Sequence, residues 1–280
     1  MSTFATQVRN ISVNEKGKWN SMTPPTQTTS TFNDRNIPAF LNAELLRMGV
    51  PAFIGWDATS SALHHWLIGG NSGAGKSTHM ALCLAKASKY LPTARLYFMD
   101  FKGSDDFRYL RDVPNARYFS HEKCSDGLRL FSQEIESRLQ DNPDRTPAFA
   151  VFDEYASFIS YTGIADKKLA AQCQMWMMNA LFMSRSVGGY CWLCTQRPDQ
   201  SIMPSGGARD QLGVRVWWGR FSSPDAARMM YGDMEIPPNF VGGVGNGIAY
   251  MDGRGLFEVV APRIRRMEAV KAAIADFVTR

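Results

Sequence analysis

The 280-residue sequence contains no run of eighteen apolar residues, and its first stretch, MSTFATQVRN, has no apolar core. Neither a membrane-spanning helix nor a secretory leader is therefore expected, and the chain by itself is expected to be soluble and cytoplasmic. Cysteine is sparse and odd in number. Cys83, Cys124, Cys173, Cys191 and Cys194 mostly lie in apolar surroundings, as reduced core thiols do, rather than in a disulfide framework. Cys191 and Cys194 are three apart on an expected strand and so face opposite sides of the sheet. No second pair accompanies them, which argues for core packing over a redox or zinc role. Histidine is rarer still, at four. His64 and His65 are adjacent and point in different directions, which argues against a shared metal site. Neither sign of charge dominates: 31 Lys and Arg against 26 acidic residues leave a net charge of +5, which permits a polyanionic partner without requiring one. No internal repeat is present.

What remains is ordinary for a globular protein with a sizeable core, 45% hydrophobic and 20% charged. Residues 1 to about 36 are rich in Ser, Thr, Asn, Gln and Pro, lack periodicity, and read as a flexible tail; residues 37–280 read as one domain. Ile37 to Met48 has helical spacing (Phe40, Leu41, Leu45, Leu46), followed by a short strand ending at Trp56. Short apolar runs then alternate with helical patterns. Strands are expected at Leu96–Met99, Ala116–Phe119, Ala148–Phe152, Tyr190–Thr195 and Val214–Trp218. Helices are expected after Ser104 or Asp105, after Ser125 or Asp126, over about Ala165 to Val187, over Pro224–Tyr231 and at the C-terminus. A glycine-rich turn at Gly242–Gly247 and a hairpin through Asp252-Gly253 come late. This alternation predicts an α/β fold with a mainly parallel sheet and a late antiparallel edge.

Leu67 to Thr78, LIGGNSGAGKST, organises the rest. It matches GxxxxGK[ST], a phosphate loop between a buried strand and a helix. Glycines let successive backbone N–H groups converge on one point, and the helix start adds its dipole and free amides. Gly70, Asn71, Ser72, Gly73, Ala74, Gly75, Lys76, Ser77 and Thr78 are the expected nucleotide-binding residues. Lys76 would reach the β- and γ-phosphates and the Ser77 hydroxyl would bind Mg²⁺. Ligands in such sheets bind beyond the carboxyl ends of the strands. There Asp153 fits a Mg²⁺-holding acid and Glu154 a base that polarises water. Gln196 ends a neighbouring strand, and Lys102, after Asp100, is able to reach a phosphate or Glu154. An arginine supplied by a neighbouring subunit would stabilise the transferred charge; Arg185, Arg215 and Arg220 are candidates.

HWLIGGNSGAGKS (His65–Ser77), LYFMDFKG (Leu96–Gly103), AFAVFDEYASF (Ala148–Phe158) and SRSVGGYCWLCTQRP (Ser184–Pro198) together resemble the ATPase core of the FtsK/SpoIIIE group of RecA-like P-loop motors, which pump double-stranded DNA. The resemblance covers about residues 50–262. It implies a homohexameric ring around DNA, with ATP and Mg²⁺ at subunit boundaries. Lys76 and Ser77 would be nucleotide and metal ligands, Asp153 and Glu154 the hydrolytic acids, Gln196 the sensor and Arg185 the first choice for the trans arginine. Val214–Arg228 is similar to a family segment that keeps Arg215 and Arg220 as alternatives. Phe101 stands where the family usually has proline. Without a membrane-spanning region before the core or a winged-helix module after Arg280, the expectation is a compact relative of the kind carried by plasmids, conjugative elements or phages, handing DNA to a transfer or replication apparatus with a relaxase or replication protein as partner. Type VII secretion ATPases reuse the same core on protein cargo, and a nucleotide-gated adaptor is a third reading. The Ser201–Asp210 loop, with Arg209, and residues 103–111 are candidate DNA contacts.

Overall fold

The computed structural model describes residues 36–198 and 207–280. The expected tail falls outside the described residues except for Asn36, which opens the first strand, and so does most of the Ser201–Asp210 loop. The elements in order are β1 (Asn36–Asn42), α1 (Ala43–Arg47), β2 (Phe53–Asp57), β3 (Trp66–Gly70), α2 (Lys76–Tyr90), β4 (Arg95–Asp100), β5 (Tyr118–Ser120), α3 (Cys124–Gln140), β6 (Ala148–Asp153), α4 (Tyr155–Ala165), α5 (Lys167–Met183), β7 (Gly189–Thr195), β8 (Val214–Trp218), α6 (Pro224–Tyr231), β9 (Asn246–Met251), β10 (Gly255–Val260) and α7 (Met267–Phe277).

These ten strands form one sheet in the order β2-β1-β10-β9-β8-β3-β7-β6-β4-β5. From β8 to β5 every pairing is parallel, and from β8 outward to β2 every pairing is antiparallel. This is the mainly parallel sheet with an antiparallel edge that the alternating pattern predicts. Central strands such as β6 are buried along their whole length, as strands covered on both faces must be. One face packs against α2 and α7 through Met80, Leu84, Ile274 and Phe277. The other packs against α3, α5 and α6 through Phe131, Met177 and Met230. Cys194 lies in the first core and Cys191 in the second, so the two thiols do face apart.

Four local expectations change. The helical spacing over Ile37–Met48 belongs instead to β1 followed by the short α1. Phe40 is fully buried and stacks on His79 at 4.9 Å, and Asn42 caps α1 by accepting from the Leu45 N–H at 2.9 Å. Pairing with β2 outweighs local periodicity here. After Ser104 the chain makes turns and one short 3₁₀ segment, Arg108–Asp112, instead of an α-helix, and the tighter three-residue winding puts both Phe107 and Leu110 in the core. α3 begins at Cys124, before the expected Ser125 or Asp126 cap, and the Ser125 hydroxyl donates to Glu122 O instead. The long helix starts at Lys167, where Asp166 accepts from the Lys168 and Leu169 N–H groups. It is preceded by the unforeseen α4 and ends in a 3₁₀ turn, Ser184–Val187, before Gly188 at φ +80°.

Candidate active site

β3 delivers the chain into the phosphate loop at Gly70, whose φ is +145°. A Cβ there would sit 2.4 Å from the Trp218 carbonyl oxygen, so only glycine lets the loop leave the sheet this close to β8. Gly75, at φ +99°, is the N-cap of α2 and turns the chain from loop to helix. Lys76 follows it, 7% exposed, and its Nζ donates to Asn71 O at 3.1 Å. Burial lowers the Lys76 pKa, while Glu154 and Asp153 act to raise it. The loop is clamped from both sides. Asn71 Nδ2 donates to Arg220 O at 2.9 Å, and the Gly245 N–H donates to Ala74 O at 3.0 Å.

β7 lies between β3 and β6, so Gln196 falls between the phosphate loop and the two acids that follow β6. Asp153 stands beside Asp100 of β4 in register. Burial, then the Asp100 and Glu154 carboxylates, push the Asp153 pKa up to about 7. Burial also raises Asp100, against hydrogen bonds from the Tyr118 hydroxyl (2.8 Å) and the Gly103 N–H (2.8 Å). Glu154 occupies the left-handed region at φ +64°, one of three non-glycine residues among those described to do so. Such a conformation costs on the order of 1–3 kcal/mol and is held by its surroundings. Lys102 Nζ lies 3.3 Å from Glu154 Oε1, and the Ser157 hydroxyl donates to Oε2 at 3.4 Å.

A cavity of about 420 Å³ brings these groups together. Ser72, Gly73, Gly75, Lys76, Ser77 and Thr78 form one wall; Lys102, Asp153, Glu154 and Gln196 face them, with Ser104, Asp106 and Val244 completing the lining. Gly70, Asn71 and Ala74 are not in the lining: they shape and hold the loop. The arginines are not brought to this cavity. Arg185 sits before the amino end of β7, at the opposite edge of the sheet, and its Nη2 donates to Gln211 Oε1 at 2.7 Å. Arg215 is buried within β8 with its guanidinium 4.2 Å from the centre of the Tyr250 ring. Arg220 is exposed and follows β8 on the phosphate-loop edge.

The residues fit a magnesium nucleotide. Positive-φ glycines and a buried lysine make an anion cradle. The Ser77 hydroxyl and Asp153 carboxylate are hard oxygen donors of the kind Mg²⁺ takes. Among the described residues no three His, Cys, Asp or Glu side chains are grouped to hold a metal. Asp100 and Val244 have no role assigned from sequence, and Ser104 and Asp106, expected there as part of the 103–111 DNA-contact stretch, line this cavity. The only signals were the strand end before Lys102 and the turn at Gly242–Gly247.

No family model matches the chain. The FtsK domain-containing protein YdcQ of Bacillus subtilis (strain 168) is 27% identical over 231 residues, 76% of this chain and 46% of the relative, so the chain spans about half that protein's length. Among solved structures, the pCW3 conjugation coupling protein TcpA, in monomer form with ATPγS, aligns at a TM-score of 0.60 and 20% identity, over 81% of this chain and 71% of that one. The cytoplasmic domain of the Thermomonospora curvata type VII secretion ATPase EccC aligns at 0.63 and 20% identity, over 87% of this chain and 31% of that one. Within the described residues no helix is long and apolar enough to cross a membrane. The fold is that of the P-loop ATPases, and the likeness in sequence and in structure is to their FtsK type.

Proposed function

We propose that the chain is a Mg²⁺-dependent ATPase motor that acts on double-stranded DNA as a homohexameric ring, serving a transfer or replication apparatus. The observation that carries the ATPase reading is the convergence of Lys76, Ser77, Asp153, Glu154 and Gln196 on one cavity. Bound ATP with Mg²⁺ would supply the phosphoanhydride and the charge that Asp153 and Ser77 are placed to hold. Lys76 binds phosphate oxygens once it leaves Asn71 O. Glu154, buried but reaching the cavity, takes the proton of the attacking water. Gln196, between lysine and glutamate, orients that water or senses the γ-phosphate.

The DNA half rests on the likeness to an FtsK-domain protein and to a conjugation coupling protein, together with the net positive charge. A relaxase or replication protein is the partner such a motor would serve. Ring formation would also supply the arginine this cavity lacks. Arg215 is already spent on Tyr250, which leaves Arg185 and Arg220 as trans candidates. The comparable likeness to a secretion ATPase favours one second reading, a motor whose cargo is protein.

The test is ATPase activity with and without duplex DNA, in the wild type and in Lys76→Ala. Stimulation by duplex that weakens steeply with salt and vanishes in the variant is the expected result. Hydrolysis indifferent to nucleic acid but raised by a peptide substrate would replace DNA with protein as cargo. Tight ATP binding with no hydrolysis would reduce the chain to a nucleotide-gated adaptor.

A further inference from the structure

The cavity has one apolar residue. Every other residue in its lining is glycine or carries a hydroxyl, amide, ammonium or carboxylate group, and Val244 alone offers a hydrocarbon side chain. A nucleoside triphosphate has a matching asymmetry: its phosphates and sugar are polar, and the faces of its base are not.

Val244 is 78% exposed, which on an ordinary loop would mean nothing. This loop is built to hold it. Gly243 and Asn246 bridge across the turn, with the Asn246 N–H donating to Gly243 O at 3.0 Å. Gly245, at φ +72°, donates its N–H to Ala74 O of the phosphate loop and accepts at its own oxygen from the Ala261 N–H at 2.8 Å. The Gly219 N–H donates to Asn246 O at 2.8 Å, tying the turn to the end of β8. A Cβ at Gly242 would lie 2.4 Å from the backbone of Gly219 and Arg220, so that close approach requires glycine. The turn is thus fastened to the phosphate loop and to strand ends on both sides, with a bare valine at its tip.

We propose that Val244 is the platform for the nucleobase, packing on the face of the purine of a nucleotide whose phosphates lie in the Gly70–Lys76 loop. The inference rests on the ATPase reading and adds to it a residue for the base, which that reading leaves without a partner. Contact through the base face carries no hydrogen-bond code, so adenine and guanine nucleotides should bind with similar affinity. Because the Gly245 backbone bonds the phosphate loop and the Ala261 backbone bonds Gly245, the platform also links the nucleotide to the antiparallel half of the sheet.

The test separates base from phosphate. Equilibrium binding of ATP, GTP and inorganic tripolyphosphate, each with Mg²⁺, is measured on the full chain for the wild type, Val244→Ala, Val244→Ile and Lys76→Ala. Val244→Ala should weaken ATP and GTP alike by roughly tenfold, the scale of losing one or two methyl groups from an apolar contact, and leave tripolyphosphate unchanged. Val244→Ile should bind ATP at least as well as wild type. Lys76→Ala should lose all three ligands. ATP binding unchanged in Val244→Ala, or an equal loss of ATP and tripolyphosphate, overturns the platform. Wild-type protein that binds neither ATP nor tripolyphosphate overturns the ATPase reading instead.

Discussion

Both edges of the parallel sheet bury polar side chains, and the two edges treat them differently. At the amino edge His64 and His65 are held neutral by burial, their pKa values lowered to about 4 and about 3. His64 Nε2 lies 3.2 Å from Ala58 O and its ring stacks on Tyr190 at 4.0 Å; His65 Nδ1 accepts the Cys191 N–H at 3.0 Å. At the carboxyl edge Asp100, Asp153 and Glu154 crowd together opposite Lys76 and Lys102, and burial first, then this crowding, raises Asp153. At the amino edge burial leaves uncharged rings, with His64 Nδ1 and His65 Nε2 lacking a hydrogen-bond partner among the described residues. At the carboxyl edge like charges are gathered beside two lysines, and that difference in charge, not in hydrogen bonding, supports the carboxyl edge as the working one in the proposed reading.

The largest expected effect breaks the comparison at its sharpest point. Glu154→Gln should retain ATP binding and lose about 10²–10⁴-fold in kcat, measured by steady-state phosphate release. Unchanged turnover would remove Glu154 from the chemistry. Next is Asp153→Asn. Folded Asp153 keeps its proton to about pH 7, whereas the unfolded chain releases it near 3.8. Between those values the folded state binds more protons, so stability of the nucleotide-free protein falls as pH rises from about 4 to 7. The asparagine variant should lack that decline and melt higher than wild type above pH 7, by an amount on the order of a few kcal/mol. Its advantage should disappear below about pH 4, and parallel thermal-melting curves across this range would contradict the crowding.

Lys102→Met tests the ion pair that neutralises a buried carboxylate. A kcat loss of about tenfold is expected, with Lys102→Arg recovering most of it. Equal losses in both would mean the lysine acts other than by its charge. The smallest effect should come from the amino edge. His64→Phe keeps a ring against Tyr190 and should cost about 1 kcal/mol of stability for the lost hydrogen bond while leaving ATPase activity intact. A collapse of turnover there would erase the distinction between the edges.

How much was legible depended on whether the cause was local. The phosphate loop was, because GxxxxGK[ST] encodes its own backbone geometry in glycines adjacent in the chain. The buried strands were, because β6 is apolar from Ala148 to Phe152 and β7 is mostly apolar from Cys191 to Cys194. The acids at the end of β6 were read for the same reason, as polar residues at the end of an apolar run. β1 was not: Phe40, Leu41, Leu45 and Leu46 together carry helical spacing, and only pairing with β2 and burial against His79 make the first half extended. The stretch after Ser104 winds as 3₁₀, not α, because its buried residues Phe107 and Leu110 are three apart and packed against distant segments, which local pattern does not distinguish from an α-helix. Arg215 is a candidate trans arginine from sequence alone, and its burial against Tyr250 is not legible there because Tyr250 comes from a different strand.

The order of residues along the chain alone decided which groups are the candidates for the proposed chemistry: a glycine pattern, a lysine, a serine and an Asp-Glu pair, each specified by short-range steric and hydrogen-bonding rules. Assembly into a sheet decided their relations. Only with β7 between β3 and β6 does Gln196 stand between Lys76 and Glu154. Only with β4 beside β6 does Asp100 meet Asp153, and only through the Gly245–Ala74 bond does Val244 reach the cavity. Electrostatic crowding and shape complementarity act through space over a few ångströms, and the distances that set them exist only after distant segments have packed together.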